Sequence, residues 1–324
     1  MIIVDHVHKS YGAFKAVSDL SFSVPAGSVC GFLGPNGAGK TTTIRMLAGA
    51  IQPNAGRLVL AGKDVRTDSR SSRGQLGYLP ESNPLPSELT VREYLKFRCE
   101  LWGVERPKRR AAIDRVVDRC GLAEVRNKLL GSLSRGFRQR AGLAAALVAS
   151  PAVVILDEPG TGLDPTTAMS FRTLVRSLRG EHTVLFSSHN LAEVEATCDH
   201  LVLIARGKLV ADGSAIDLRR VGSVGVRFEI ESTHCDPVAL RQIVGVLGVQ
   251  TQSMQDGWTR ISVEIEPNGE SVEIPTALGE SLHSSGGTIR RFERVNPALE
   301  EIFQRLVRER SGDVSSERIE GASQ

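Results

Sequence analysis

Two periodicities alternate along this chain, and the places where one yields to the other mark its elements. Val29–Leu33 is a short apolar run and Val153–Leu156 is four aliphatics in a row, patterns that suit strands buried on both faces. Residues 183–186 read as a third such strand. Residues 1–24 read as short strands with turns, an edge sheet to which 58–60 and the turn at Gly62 add. After Leu89 the spacing becomes helical. Thr90 and Glu93 stand at capping-box separation, and Val91, Leu95 and Leu101 or Trp102 recur on one face. A second helix carries Ile113, Val116, Val117 and Cys120 before Gly121, and a third, rich in Ala and Leu, follows Ser134. Residues 201–210 read as a hairpin about Arg206 and Gly207.

A second pattern begins past the glycines Gly222 and Gly225, which mark a linker. Val224, Val226, Phe228 and Ile230 alternate with polar residues as a half-buried strand does, and 237–247 is amphipathic at helical spacing. Asp256 and Gly257 turn a hairpin between 249–254 and 258–265. A helix at 274–282, a strand at 288–292 and a last helix with Leu299, Ile302, Phe303 and Leu306 complete the series βαββαβ plus one helix, which suggests a small α+β ferredoxin-like domain.

The chemistry sits at the ends of the apolar strands. Gly34, Pro35, Asn36, Gly37, Ala38, Gly39, Lys40 and Thr41 spell the G-x-x-x-x-G-K-[ST] phosphate-binding loop, with Thr42 next in the helix that follows. The glycines let consecutive backbone amides turn inward around phosphates, Lys40 reaches the β- and γ-phosphates, and the Thr41 hydroxyl suits Mg²⁺. Asp157 and Glu158 close the second apolar strand, where parallel sheets keep their chemistry. Asp157 suits Mg²⁺ and Glu158 suits activation of a water; standing alone, the pair also fits two acids that cap a strand before Pro159 and Gly160.

Between these motifs, residues 133–140 read Leu-Ser-Arg-Gly-Phe-Arg-Gln-Arg and open a helix on Ser134, a good N-cap, with Gly136 allowing close backbone approach. The segment resembles the signature, Leu-Ser-Gly-Gly-Gln, of the ATP-binding cassette family. Residues 77–81 resemble that family's Q-loop, 162–165 its D-loop, and 187–189 its switch histidine, all in family order between Tyr11 and Gly213. Three positions depart from the commonest pattern: Glu81 stands in place of glutamine, Arg135 in place of the first signature glycine, and Phe137 in place of the signature glutamine. A similar variant, Tyr-Leu-Pro-Glu with a basic residue and then an aromatic in the signature, occurs in bacterial export-type cassettes resembling those of drug efflux, copper-enzyme maturation and gliding motility.

The resemblance implies an α/β fold of P-loop NTPase type: a mixed core sheet with helices, an antiparallel β subdomain and an α-helical lobe. It places a nucleotide-binding domain at 1–220 with its lobe at about 84–150, an accessory domain at 221–309 and a disordered, Ser-rich tail at 310–324. Two copies, or one copy and a related cassette, are expected to close head to tail so that Ser134 and Gly136 of one complete the ATP site of the other. Asp164 is then a point of communication across the dimer. Tyr11 matches the aromatic that stacks on adenine, although the residue also fits a half-buried strand tyrosine. His189 matches the residue that bonds the γ-phosphate, and Glu81 the Q-loop group near Mg²⁺ that signals to a membrane partner. ATP and Mg²⁺ are the expected cofactors.

Composition narrows the setting. The 324 residues are 41% hydrophobic and 24% charged with a net charge of +3, ordinary values for a globular protein. This mild basicity gives weak attraction to anionic lipid or nucleic acid and decides nothing alone; no nucleic-acid partner is expected. Five cysteines form no C-x-x-C pair, which suits reduced thiols. Residues 141–156 carry no charge but are too short to span a bilayer, and Ser150-Pro151 breaks them. The expectation is a cytoplasmic ATPase held at the inner face of the membrane by a separate permease. The alternative is a cassette ATPase acting on ribosomes or DNA, but the chain has one P-loop and no sustained heptads.

Overall fold

The apolar runs without polar alternation are parallel strands with covered faces, and every residue of Val29–Leu33 and Val153–Leu156 is buried. A computed structural model of the protein describes residues 1–221, 227–266, 273–295 and 299–310. The linker glycines Gly222 and Gly225, strand positions Val224 and Val226, and tail residues 311–324 lie outside the described residues. The chain divides into two units, Met1–Ala215 and Ile216–Gln324.

The first unit contains strands β1 (Ile2–Tyr11), β2 (Phe14–Val24), β3 (Val29–Leu33), β4 (Ala55–Leu60), β5 (Lys63–Asp64), β6 (Leu76–Leu79), β7 (Val153–Leu156), β8 (Thr183–Ser188), β9 (His200–Ala205) and β10 (Lys208–Gly213). Its helices are α1 (Lys40–Leu47), α2 (Ser69–Gly74), α3 (Val91–Leu101), α4 (Arg109–Arg119), α5 (Arg135–Leu147), α6 (Pro165–Arg176) and α7 (Leu191–Thr197). The core sheet has the order β10-β9-β3-β8-β7-β6, parallel except for β10. A second sheet, β2-β1-β4-β5, is antiparallel. The edge sheet read from the sequence is therefore present, but its first two strands are long, not short. One apolar core joins both sheets through α1, whose Ile44, Met46 and Leu47 are fully buried, and the rings of Phe22 and Phe32 stack at 5.4 Å.

Helices α3, α4 and α5 pack on one another as the expected lobe. Thr90 closes the capping box with Glu93: its hydroxyl accepts from the Glu93 amide, and the Glu93 carboxylate accepts from the Thr90 amide at 2.8 Å. The inward seam of α3 is Val91, Tyr94, Leu95 and Cys99. Leu101, expected on that face and the last residue of α3, is 60% exposed; the buried seam ends at Cys99. Helix α5 also lies on β6, where Gly77 presses against its backbone.

The second unit comprises α8 (Ala215–Val221), β11 (Arg227–Ser232), α9 (Pro237–Arg241), β12 (Val246–Ser253), β13 (Thr259–Ile265), α10 (Glu273–Ser284), β14 (Ile289–Val295) and α11 (Leu299–Arg310). Its sheet, β12-β13-β11-β14, is antiparallel throughout and has the ferredoxin-like strand order. The hairpin turn holds both Asp256 and Gly257 at positive φ. The helix expected over 237–247 stops at Arg241. Gly245 sits at φ 90° and pairing with β13 recruits the chain from Val246, so Val244 and Leu247, whose apolar spacing suggested a helix, are exposed. Among the described residues no helix is long and apolar enough to cross a membrane.

A Cβ at Gly77 would collide with the Ala146 carbonyl oxygen of α5 and lie 3.0 Å from the Pro151 ring. Backbone and ring cannot yield cheaply, so Gly77→Ala is expected to destabilise the first unit by about 1–3 kcal/mol. Urea denaturation followed by tryptophan fluorescence checks this, Trp102 reporting at the end of α3.

Candidate functional site

Strands β3, β8 and β7 are parallel neighbours, so the segments that leave their C-terminal ends emerge side by side. Leaving β3, the chain turns through Gly34, Pro35, Asn36, Gly37 and Ala38 into α1. Gly39 at the N-cap has φ 102°, and a Cβ there would lie 2.6 Å from the Ala16 carbonyl oxygen. Glycine is thus required by both backbone angle and space. No side chain caps α1, so its first amides remain available to an anion.

A cavity of about 430 Å³ opens over this turn. Residues Pro35 to Thr42 form its floor, and Glu81, Glu158, Thr161 and His189 form its wall. Lys40 is buried, and its ammonium donates to the Gly34 carbonyl at 2.7 Å and lies 3.6 Å from the Glu158 carboxylate. Glu158 has φ 44°, an unusual value for a residue with a Cβ. The Ser187 hydroxyl holds it there, accepting from the Glu158 amide at 2.8 Å and donating to Asp157 Oδ1 at 2.7 Å. One hydroxyl therefore fixes the Asp157 carboxylate and the Glu158 backbone. Glu158 Oε2 accepts from His189 Nδ1 at 2.7 Å and from the Thr161 hydroxyl at 3.3 Å.

Asp157 is 3% exposed. Burial is the main reason its carboxyl pKa is raised above the ordinary value of 3.8; the Glu81 and Glu158 charges add to the rise, while the Ser187 hydrogen bond and Lys40 oppose it. A larger cavity of about 830 Å³ adjoins the first, sharing Thr41, Glu81 and Thr161. Tyr78 lines it, its hydroxyl pKa pushed up to about 12 by burial and then by Asp157, so it stays a neutral phenol.

The structure brings together Lys40, Thr41, Thr42, Glu81, Asp157, Glu158 and His189 from the sequence reading. Others stand elsewhere. Ser134 caps α5, accepting from the Phe137 amide at 3.4 Å, and lines neither cavity; nor does Gly136. Asp164 caps α6 through the Thr167 amide at 3.0 Å. The aromatic at the first cavity is Phe14, not Tyr11. Tyr11 is the cross-strand partner of Phe14 beside the turn of the β1–β2 hairpin, and its ring lies under the Lys9 ammonium at 5.3 Å; the Ala16 carbonyl, two residues past Phe14, meets Gly39 of the P-loop.

Sequence reasoning missed Ser187, Thr161 and Phe14 as members of the site. The signal for Ser187 was the expected sheet itself, since adjacent parallel strands set the residue two before His189 beside Asp157.

A raised folded pKa means that the protonated carboxyl is the form the fold favours. That stability is fully present below the unfolded value and is lost as pH rises through the folded value. Asp157→Asn, which removes the charge, is therefore expected to raise the thermal midpoint at pH 7, with the gain shrinking below about pH 4. Thermal unfolding of the two proteins across pH 3.5–8 checks the sign.

Residues 17–161 match the family model described as ABC transporter. The chain is 32% identical to the bacitracin transport ATP-binding protein of Bacillus licheniformis, covering 92% of this chain and 94% of that protein. It is 35% identical to the Nod factor export ATP-binding protein I of Burkholderia orbicola (strain AU 1054), over 93% of this chain and 95% of that one. Among solved structures it resembles an ATP-binding subunit of an ABC transporter at TM-score 0.63 and 27% identity, covering 68% of this chain and 92% of the other.

Proposed function

Because this chain belongs to the ABC transporter family as an ATP-binding subunit, we propose that it works in pairs, hydrolysing ATP at two shared sites to drive export through separately encoded membrane subunits. The observation that carries this reading is a division of labour. Lys40, Glu158 and His189 converge on one cavity, while the Ser134-capped start of α5 stands outside it. A second copy supplies the missing face. A relative named for bacitracin transport supports the transport role, and one named for Nod factor export supports the direction.

In this reading the β- and γ-phosphates lie against the first amides of α1 and take Lys40 away from Glu158, its present neighbour. Glu158, freed from that pairing, accepts the proton of the attacking water, and His189, already bonded to Glu158, orients it and bonds the γ-phosphate. Thr41 and Asp157 present hard oxygen donors that fit Mg²⁺, with Glu81 beside them, and a buried, incompletely neutralised Asp157 favours a cation there. Bound Mg²⁺ supplies charge neutralisation at the phosphates. Closure of the pair on ATP and opening after hydrolysis are the stroke passed to the permease, with the chain at the cytoplasmic face. Residues 1–220 do this work, and 221–309 form an accessory domain.

Glu158→Gln is expected to lower phosphate release at least about 100-fold while leaving ATP binding intact, and to trap an ATP-bound dimer seen by light scattering. Unchanged turnover in that variant removes Glu158 as the base. Lys40→Ala is expected to abolish nucleotide binding or hydrolysis. A permease that co-purifies from detergent-solubilised membranes supports transport; ribosomes in its place support the soluble-machinery alternative.

A further inference from the structure

Arg135 occupies the place of a signature glycine, and its side chain is committed. Its Nη1 donates to the Gly162 carbonyl at 2.9 Å. Gly162 lies at φ 70°, and a Cβ there would run into the Arg135 guanidinium. The contact continues in both directions. Thr161, next to Gly162, donates its hydroxyl to Glu158 Oε2 at 3.3 Å and its amide to the Glu158 carbonyl at 3.1 Å. On the other side, a Cβ at Gly136 would lie 2.6 Å from Thr167 Cγ2, and Arg140 Nη2 donates to Ser170 Oγ at 3.0 Å. Three successive contacts therefore stitch the first half of α5 to the segment after β7, through Gly162, and to α6, through Thr167 and Ser170.

The two ends of this path have different duties in the paired-site reading, on which the inference rests. Ser134 meets the nucleotide bound by the partner copy, and Glu158 serves the nucleotide bound by its own copy. We propose that Arg135 is a positioning residue that couples the two ATP sites of the pair, passing a shift of the Ser134 end of α5 through Gly162 and Thr161 to Glu158. A guanidinium suits this task. It donates a charge-assisted bond to a main-chain carbonyl, so that the loop itself, not a mobile side chain, is held. Glycine at the same position could not reach across.

Coupling between sites appears as cooperativity in ATP. The test compares the full-length protein with Arg135→Gly, Arg135→Lys, Gly162→Ala and the double variant Arg135→Gly with Gly162→Ala. The readouts are the Hill coefficient of phosphate release and nucleotide affinity measured with Mg-ADP, and thermal unfolding verifies folding. The wild type is expected to be cooperative. Arg135→Gly brings the Hill coefficient down to about 1 with Mg-ADP affinity unchanged, and Arg135→Lys recovers most of the loss because an ammonium still donates to the Gly162 carbonyl. Gly162→Ala displaces the guanidinium and reproduces the loss, and the double variant is no worse than Arg135→Gly. A wild-type Hill coefficient in folded Arg135→Gly, or losses that add in the double variant, overturns the coupling role. A wild type that stays monomeric with Mg-ATP and shows no cooperativity overturns the paired-site reading itself.

Discussion

The register of three parallel strands governs this molecule. Leu33 pairs with Ser188 and Leu156 with Phe186, so the residues one or two steps further on must leave the sheet as neighbours. Everything at the site follows from that geometry. The phosphate loop departs from β3, Ser187 and His189 from β8, Asp157 and Glu158 from β7, and Glu81 from just past β6. A one-residue slip in any of these pairings would turn each side chain to the opposite face and dismantle the set. The buried apolar runs prevent such a slip by filling both faces of the sheet, which makes the plain hydrophobic core a requirement of the chemistry.

That arrangement carries a cost concentrated in two adjacent residues. Asp157 is an acid in a place that penalises its charge, and Glu158 adopts a backbone angle that a residue with a Cβ avoids. Strain of this kind is of order 1–3 kcal/mol per residue and persists only where surroundings hold it. Ser187 does so with a single hydroxyl, bonded to one residue's carboxylate and the other's amide. Lys40 answers part of the negative charge, and His189 and Thr161 hold the Glu158 carboxylate from the far side.

The parts of this design legible in the sequence were those written in contiguous residues. The G-x-x-x-x-G-K-[ST] loop, the four aliphatics before Asp157, and the capping box at Thr90 and Glu93 each state their local geometry in a few positions, because each depends on backbone amides close in the chain. The less legible parts depend on residues far apart. Ser187 gains its role only from β7 lying beside β8. Phe14 lines the first cavity because the β1–β2 hairpin lies against the P-loop, where the Ala16 carbonyl meets Gly39. Leu247 carried a helical spacing that pairing with β13 overrode, since a ladder of hydrogen bonds outweighs a weak amphipathic pattern on a short segment. Arg135 was visible as a departure from the signature, but its partner Gly162, 27 positions away, was not.

The departures also bear on one another through charge. Glutamine, the commoner residue where Glu81 stands, would face both cavities as a neutral amide. Glu81 adds a third carboxylate to Asp157 and Glu158, and its charge is one cause of the raised Asp157 pKa. One buried lysine among three carboxylates is an unfavourable balance that a polyphosphate alone would worsen, because it adds like charge at close range. Under the proposed function, a divalent cation arriving with the phosphates would improve that balance. In the same reading, Glu81 in the wall adds repulsion against a bare nucleotide. Glu81, just past β6, also borders the second cavity with Arg135, so two of the three departures from the common pattern line one wall.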